Sequence, residues 1–472
     1  MQKSIAARIG TTRVRGSGFV SAVARWTGLV LACSWCVARA GSGGPGDSEA
    51  MLLLDLLERK GILTRQEAEQ ARTELASRRT VSLEEFARQS KVQFSRWVDR
   101  VDFSGDARLR FEHRSGENGQ AGGGDRLEMN RWRYRLRAGA QIEFSEQLRA
   151  GVQFQSGTSG RSGNVTFGGD SGPWGRGDDG VYLNQLYLRW TPVSWFGATA
   201  GRQPNPFQAT SLVWDPDLQP EGLSETFRYA RGGWEWTVTL GQFLYDEAPR
   251  DNPFGGGPAE ADAYLFMQQV GLRYRFHANW SAAVSPLLHV YSRGGDSFRG
   301  PFVGTTPANS VGINDLMVLE VPWELRYSGG PWPVRVYGDF AVNLQGQERA
   351  RAAGTPRYED EKYGWLAGVE VGSGRRKGEW RIRAAYQWSG LYALDPNLVD
   401  TDAFDSRVNM RGVIVEGTYL FTDFLQMNLT YAHGERNRKA LPTGAVGDLG
   451  GTPGTAYLDD YRLFQADLNL RF

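Results

Sequence analysis

Arg462-Leu463-Phe464-Gln465-Ala466-Asp467-Leu468-Asn469-Leu470-Arg471-Phe472 is the stretch on which the fold turns. Phe464, Ala466, Leu468, Leu470 and Phe472 share one face of an extended strand, while Gln465, Asp467, Asn469 and Arg471 share the other. Successive side chains of a strand point to opposite sides, so this period of two separates the two sets completely. An apolar face backing a charged one suits a strand with lipid outside and water inside. A strand of a soluble sandwich alternates in the same way, so the distinction rests on the remainder of the chain.

The same alternation recurs from about residue 102 onward. Trp132, Tyr134, Leu136, Ala138, Ala140, Ile142 and Phe144 face one way, and Arg131, Arg133, Arg135, Arg137, Gln141 and Glu143 the other. Strands are predicted at 102–114, 129–144, 148–156, 181–191, 196–202, 223–230, 234–245 and 264–276. The series continues at 280–291, 316–327, 333–343, 363–372, 379–389, 411–421, 424–434 and 460–472, sixteen in all, with Pro286 interrupting the ninth. Seven short connections alternate with eight long ones. The short ones are Ser145-Glu146-Gln147, Val193-Ser194, Arg231-Gly232-Gly233, His277-Ala278-Asn279, Ser328 to Trp332, Ser373 to Gly378 and Thr422-Asp423. The long ones, at 115–127, 157–180, 203–222, 246–262, 292–313, 346–361, 391–410 and 435–458, are rich in Gly, Asp and Pro. Tight turns on one rim and long loops on the other belong to a membrane barrel; a sandwich has no reason to sort them. Phe144, Trp190, Trp195, Trp234, Phe276, Trp280, Trp332, Trp380, Phe421, Phe424 and Phe472 follow the short-turn rim as an aromatic collar, the residue type favoured at a lipid–water boundary. The fold class expected is therefore all-β, a transmembrane antiparallel β-barrel of about sixteen strands, preceded by a short helical segment.

Composition agrees. The 472 residues include 60 glycines and 12 % aromatics, and the mean hydropathy is negative. Outside the amino terminus the sequence has no apolar run of about 18 residues, so spanning helices are excluded. A barrel crosses lipid without such runs because every second residue can be polar. Residues 1–40 read as a secretory signal, with Lys3, Arg8, Arg13 and Arg15 in a basic region, Leu29-Val30-Leu31-Ala32 in an apolar one, and Ala38-Arg39-Ala40 as the cleavage site. Cys33 and Cys36 both lie inside this segment. Their C-x-x-C spacing, and an imperfect lipoprotein box before Cys33, would leave with the signal, so the mature chain is expected to lack cysteine. Removing the six basic residues of the signal from the 54 in the chain leaves 48 against 53 acidic residues, which is no nucleic-acid footprint.

Residues 41–98 are expected to form a linker and a helical periplasmic segment, and 99–472 the barrel. Helices are predicted at 50–59 and 65–77, joined at Gly61-Ile62-Leu63, with Thr64 and Glu67 as a capping box. Leu53, Leu56, Leu57, Ile62, Ala68, Ala71 and Leu75 form one apolar stripe. A spacer and a small coiled coil both fit it, although the stripe is short for several heptads.

Taken together, the signal, the leucine-rich segment with Lys60-Gly61-Ile62-Leu63-Thr64 and Glu67-Ala68-Glu69, and the barrel ending in Phe472 resemble the "putative porin" family of Gram-negative outer membranes. Gly201-Arg202-Gln203-Pro204 and the Asp215-Pro216-Asp217 loop look like that family and its relatives among phosphate-selective porins. The resemblance implies a passive diffusion channel in the cell outer membrane, reached by secretion and signal cleavage. Its implied partners are outer-membrane lipid, the barrel-assembly machinery and small hydrophilic solutes, with a homotrimer as one assembly open to such a barrel. It also implies that the terminal aromatic, Phe472, is part of the signal read during assembly. No cofactor is expected.

Candidate pore chemistry lies on the inward face. Arg108 and Arg110 on the first strand and Arg131, Arg133, Arg135 and Arg137 on the second form two adjacent basic rows. By the same parity Arg149, Arg189, Arg228, Arg273, Arg275, Arg381 and Arg383 point inward, as do Asp106, Glu112, Glu143, Glu235, Glu320, Glu324, Asp339, Glu370, Glu416 and Asp467. Rows of one sign in a narrow lumen concentrate counter-ions, whereas rows paired with acids merely line a wet wall. The loop 203–222 is the candidate constriction loop: with Asp215, Asp217 and Glu221 facing the arginines it would set a transverse field. Those three carboxylates could also suit Ca²⁺. Arg176-Gly177-Asp178 reads as Gly-rich coincidence rather than an adhesion motif. His113, His277, His289 and His433 are scattered, and no G-x-S-x-G or H-E-x-x-H pattern occurs, so no enzyme is expected. A polysaccharide export conduit is the alternative, favoured by a wide, strongly basic lumen without an inward loop.

Overall fold

The computed structural model describes residues 97–119, 126–157, 162–168, 180–246, 262–292, 315–443, 448–449 and 457–472. The signal, the helical segment and the Arg176-Gly177-Asp178 motif lie outside the described residues.

Sixteen antiparallel strands follow one another around a closed barrel. The first eight are β1 Arg100–Asn118, β2 Arg126–Glu143, β3 Leu148–Gly157, β4 Gly180–Val193, β5 Phe196–Arg202, β6 Glu221–Arg231, β7 Trp234–Asp246 and β8 Ala263–His277. β9 and β10 each come in two pieces, Trp280–Val284 with Leu287–Ser292 and Met317–Glu320 with Trp323–Tyr327. β11 Val334–Asn343, β12 Tyr363–Gly372, β13 Trp380–Ser389, β14 Met410–Leu420, β15 Leu425–Arg436 and β16 Leu458–Arg471 complete the wall. Among the described residues no helix is long and apolar enough to cross a membrane.

Each of the sixteen predicted strands corresponds to an observed one. The breaks in β9 and β10 have one cause. Pro286 and Pro322 cannot donate to the ladder, and they sit on neighbouring strands, where Ser285 N–H reaches the Pro322 carbonyl at 2.9 Å and Val270 N–H the Pro286 carbonyl at 3.0 Å. The first long loop is shorter than expected because the β1–β2 hairpin continues outward, pairing Ser115 with Glu128 and Glu117 with Arg126. Within the sixth loop, Gly346–Ala352 forms a helical turn, α1.

β1 and β16 close the barrel, with Arg110 opposite Asp467 and Asp106 opposite Arg471. The terminal residue takes part: Gly105 N–H donates to the Phe472 carbonyl at 2.9 Å and Phe472 N–H to the Gly105 carbonyl at 3.1 Å. A Cβ at Gly105 would meet the Phe472 ring at 2.6 Å, so glycine there lets the last aromatic lie flat over the seam. Gly232 and Gly233 turn between β6 and β7 with φ of +58° and +86°, a left-handed path that glycine adopts at little cost.

Parity separates the two surfaces of the wall. Leu109, Trp132, Leu136, Val336, Ile382, Val415 and Leu468 are exposed outward, whereas Arg110, Arg133, Tyr337, Asp339 and Gln465 are buried inward. The inside is not empty. Leu212 and Val213 of the third long loop, Ala350 of α1, and Leu391 to Leu394, Val399 and Val408 of the seventh pack with Val318, Tyr337, Ala341 and Leu366 of the wall into an apolar cluster. A second cluster joins Phe404 to Tyr461 and Leu463, and a third joins Phe207 and Trp214 to Phe243 and Met267.

Candidate functional site in the barrel lumen

The arginine rows stand on the β1–β2 hairpin in a register that sets like charges side by side. Arg108 is opposite Arg135 and Arg110 opposite Arg133, with Asp106 opposite Arg137 and Glu112 opposite Arg131. Like charges directly across a ladder repel, so such rows persist only if acids reach them, and acids do so from two directions. From the wall, Asp467 of β16 takes a bidentate pair from Arg110 at 2.7 and 2.9 Å, and Asp106 accepts from Arg135 at 3.1 Å and Arg137 at 2.7 Å. Fully buried Glu112 accepts from Arg114 at 3.0 Å and from Arg131.

From the loops, Asp402 accepts from Arg110 at 3.0 Å and Arg114 at 3.3 Å, Asp405 pairs with Arg114, Asp448 with Arg131, and Asp217 with Arg135 at 3.3 Å. Five arginines thus meet seven carboxylates. Asp402 responds accordingly: burial pushes its carboxyl up, but the guanidiniums of Arg110, Arg114 and Arg108 overcome this and hold it well below the usual carboxylate range. Asp448 is likewise held low by Arg114 and Arg131. Two residues before Asp402, Asp400 behaves oppositely, raised well above the usual range by burial and by the Asp215 and Asp402 carboxylates.

The third long loop crosses the lumen. It leaves β5, and on the far wall Thr210 N–H donates to Glu320 at 3.2 Å and Thr210 Oγ1 to Asp339 at 2.6 Å. It then returns to β2, where Asp217 meets Arg135. In a ring of sixteen strands, β2 and β10 are half a circumference apart. Asp215 is buried, accepting the backbone N–H groups of Asp217 at 2.8 Å and Thr401 at 3.2 Å, and so ties this loop to the seventh. Glu221 does not join them. As the first residue of β6 it shares the parity of Leu223 and Phe227, lies half-exposed on the outer face and pairs with Arg202. Strand parity therefore removes it from any lumen field, and it separates the three carboxylates considered for Ca²⁺. Among the described residues no group of carboxylates or imidazoles is arranged to hold a metal.

The seventh long loop was expected outside. Instead Leu391 to Leu394, Phe404 and Val408 are buried inside the barrel, and this loop supplies Asp400, Asp402 and Asp405. The signal was present in the sequence: Leu391-Tyr392-Ala393-Leu394 is too apolar for a loop in water.

A polar cavity of about 810 Å³ remains between the arginine wall and the two loops. Arg108, Arg110 and Arg137 line one side, Arg335, Arg381 and Arg383 the other, with Asp215, Asp217, Asp400, Asp402, Glu416 and Asp467 between them. Arg131, Arg133 and Arg135 are not part of this lining. Arg335 pairs with Glu324 at 2.7 Å and Arg383 with Glu416. Arg381 has no carboxylate among the described residues, its guanidinium reaching only the Thr418 hydroxyl at 3.4 Å. His289 is buried, its Nε2 3.1 Å from Glu320 beneath the third loop.

No curated protein matches the chain. Among solved structures, OmpF of Salmonella typhi in complex with daunomycin is 10 % identical, covers 79 % of this chain and 97 % of its own, and gives a TM-score of 0.41. An OmpT loop-deletion mutant from Vibrio cholerae is 13 % identical with 79 % and 99 % covered and a TM-score of 0.38. An anion-selective porin from Comamonas acidovorans is 11 % identical with 79 % and 99 % covered and a TM-score of 0.43. Likeness at this level adds nothing to the fold already described. The family signal lies in the sequence: residues 123–292, from the second arginine row through β9, match the family model described as "Putative porin".

Proposed function

We propose that the chain is an outer-membrane channel for passive diffusion of small hydrophilic solutes, with a modest preference for anions. The observation that carries this is the polar cavity of about 810 Å³ inside the barrel, bounded by the arginine wall and by loops that narrow the lumen without replacing its charged lining. Six arginines and six acids border it. Among those arginines Arg381 is the one without a carboxylate among the described residues, its guanidinium reaching only the Thr418 hydroxyl. The rows at Arg108, Arg110, Arg131, Arg133, Arg135 and Arg137 then serve two purposes: Arg108, Arg110 and Arg137 line the pore, while Arg131 and Arg135 anchor loops through Asp448 and Asp217 and Arg110 also holds Asp402. Asp215 and Asp217 act in the constriction, and Glu221 does not. A polysaccharide export conduit needs a wide lumen free of inward loops, and two such loops weigh against it.

Signal cleavage near residue 40, a periplasmic segment at 41–98, short turns on the periplasmic side and recognition of Phe472 by the assembly machinery belong to the same proposal. Phe472 is suited to that role because its backbone and ring hold the β1–β16 seam. Planar-bilayer recording of the purified chain in a salt gradient tests the function: steady conductance steps with a reversal potential slightly on the anion side support it. Absence of steps, or clear cation selectivity, would overturn it.

A further inference from the structure

Within the ion-pair network Asp402 stands apart from the acids of the wall. Glu112 and Asp467 are buried and sit on strands β1 and β16. Asp402 comes instead from the seventh loop, borders the cavity and keeps 33 % of its side chain open. Its carboxylate is nonetheless well held. Oδ1 accepts from Arg110 Nη1 at 3.2 Å, Arg114 Nη2 at 3.3 Å and Gln465 Nε2 at 3.1 Å, and Oδ2 accepts from Arg110 Nη1 at 3.0 Å. Arg110, Arg114 and Gln465 are themselves buried.

The wall positions these three donors without help from the loop. Asp467 takes both guanidinium arms of Arg110, and Glu112 accepts from Arg114 at 3.0 Å and from Gln465 at 2.8 Å. The loop, in turn, is anchored just past Asp402. Phe404 packs edge-on against Tyr461, and Asp405 accepts the backbone N–H groups of Asp448 at 2.9 Å and Leu449 at 3.1 Å. Rotation of one side chain into the cavity therefore uncovers the donors while the loop stays in place. Glu112 and Asp467 form the back of this cradle, and like charges brought together repel. They favour a group with two oxygens and a single negative charge over one carrying two charges.

We propose that Arg110, Arg114 and Gln465 form a subsite for the carboxylate of a small organic acid, held in this structure by Asp402 as a tethered stand-in that the solute's carboxylate displaces. The inference rests on the channel reading and names a solute class for it. Exchanging one carboxylate for another keeps the charge-assisted hydrogen bonds of both arginines and leaves no buried guanidinium uncompensated. A tethered competitor acts at an effective concentration on the order of millimolar. Binding is therefore reversible, as passage through a channel requires. Phosphate, which carries a second charge near neutral pH, meets Glu112 and Asp467 and is disfavoured.

Asp402→Ala deletes the carboxylate of the stand-in, so acetate is the natural probe. Calorimetric titration of the purified, folded chain at low salt should show acetate binding about tenfold tighter to the variant than to the parent, whose tethered competitor remains. Acetate should also raise the variant's melting temperature more than chloride does at equal ionic strength, and inorganic phosphate should bind less tightly than acetate. A response to acetate no larger than to chloride would overturn the proposal and leave Asp402 as a loop anchor. Tighter binding of phosphate would overturn the carboxylate assignment. If Asp402→Ala does not assemble, Asp402→Asn keeps the shape without the charge and should likewise bind acetate more tightly than the parent; no gain there would contradict the proposal. None of these readouts needs conduction. A conducting barrel without the acetate response loses only the subsite, whereas acetate binding to a barrel that does not conduct supports the subsite and removes the channel.

Discussion

The wall made by β1, β2 and β16 and the wall made by β8 to β12 face each other across the lumen and are filled in opposite ways. Against the first lie ion pairs: Arg110, Arg114, Arg131 and Arg135 each meet a carboxylate from a loop or a neighbouring strand. Against the second lie Leu212, Val213 and Leu391 to Leu394, packed on Val318, Tyr337 and Leu366. The same inward parity therefore produces a wall of buried ion pairs and an apolar, dry one. Strand sequence alone does not decide between them; the loops that fold back do.

Breaking the charged wall should have the largest effect. Glu112 is buried among Arg114, Arg131 and Gln465, and removing one partner of a buried ion network leaves charges uncompensated, at a cost of about 3–5 kcal/mol. Glu112→Gln should lower stability by that order in denaturant titrations of the barrel in detergent or vesicles. A loss below about 1 kcal/mol would show that water penetrates this wall freely.

On the dry wall, Leu212→Ala should cost about 2–4 kcal/mol, the usual range for emptying a packed leucine site. Leu212 is fully buried in the apolar cluster. Because it pins the third loop, the same variant should raise conductance or its noise. A stability loss without any change in conductance would separate the packing from the channel.

Asp400 and Asp402 sharpen the contrast within one loop, since their pKa values move in opposite directions. The stability contributed by Asp402, whose folded value is depressed, is present above the ordinary Asp pKa of about 3.9 and is lost as pH falls below it toward the folded value. That of Asp400, whose folded value is raised, is full below about 3.9 and is lost as pH rises through the folded value. Asp402→Asn should therefore flatten the acid limb of a stability profile, and Asp400→Asn should raise stability at neutral pH. Identical profiles for the two variants would contradict the assignment.

The smallest effect concerns Arg381. Its loss should change the anion-to-cation permeability ratio by no more than a few-fold, with folding unchanged, because it holds only the Thr418 hydroxyl. Recordings at low salt are the right condition, since screening acts over about 8 Å at physiological ionic strength.

The wall was legible in the sequence because lipid imposes a period of two that nothing else in the chain imitates. Trp132 beside Arg133, or Phe464 beside Gln465, already assigns inside and outside. Pro286 announced the break in β9, and Pro322, equally visible at the matching height of β10, explains its partner. The lumen was legible only in part. The rows could be read, but their neutralisation depends on Asp402, Asp405 and Asp448, which come from loops more than 250 residues away in sequence from the arginines they meet. Parity should have removed Glu221 from the constriction set, since it continues the outward series of Leu223, Glu225 and Phe227. The apolar run at 391–394 was the sign that its loop turns inward.

The measurement that bears most directly on this account is single-channel conductance after replacing residues 207–216, the part of the third loop that reaches the dry wall, with a glycine–serine linker of equal length. Heat-modifiability confirms that the barrel still forms. If the loop crosses the lumen and borders the conducting cavity, conductance should rise several-fold and the ion preference should weaken. A folded variant with the parent's conductance and selectivity would contradict the account, because the path for solute would then lie elsewhere.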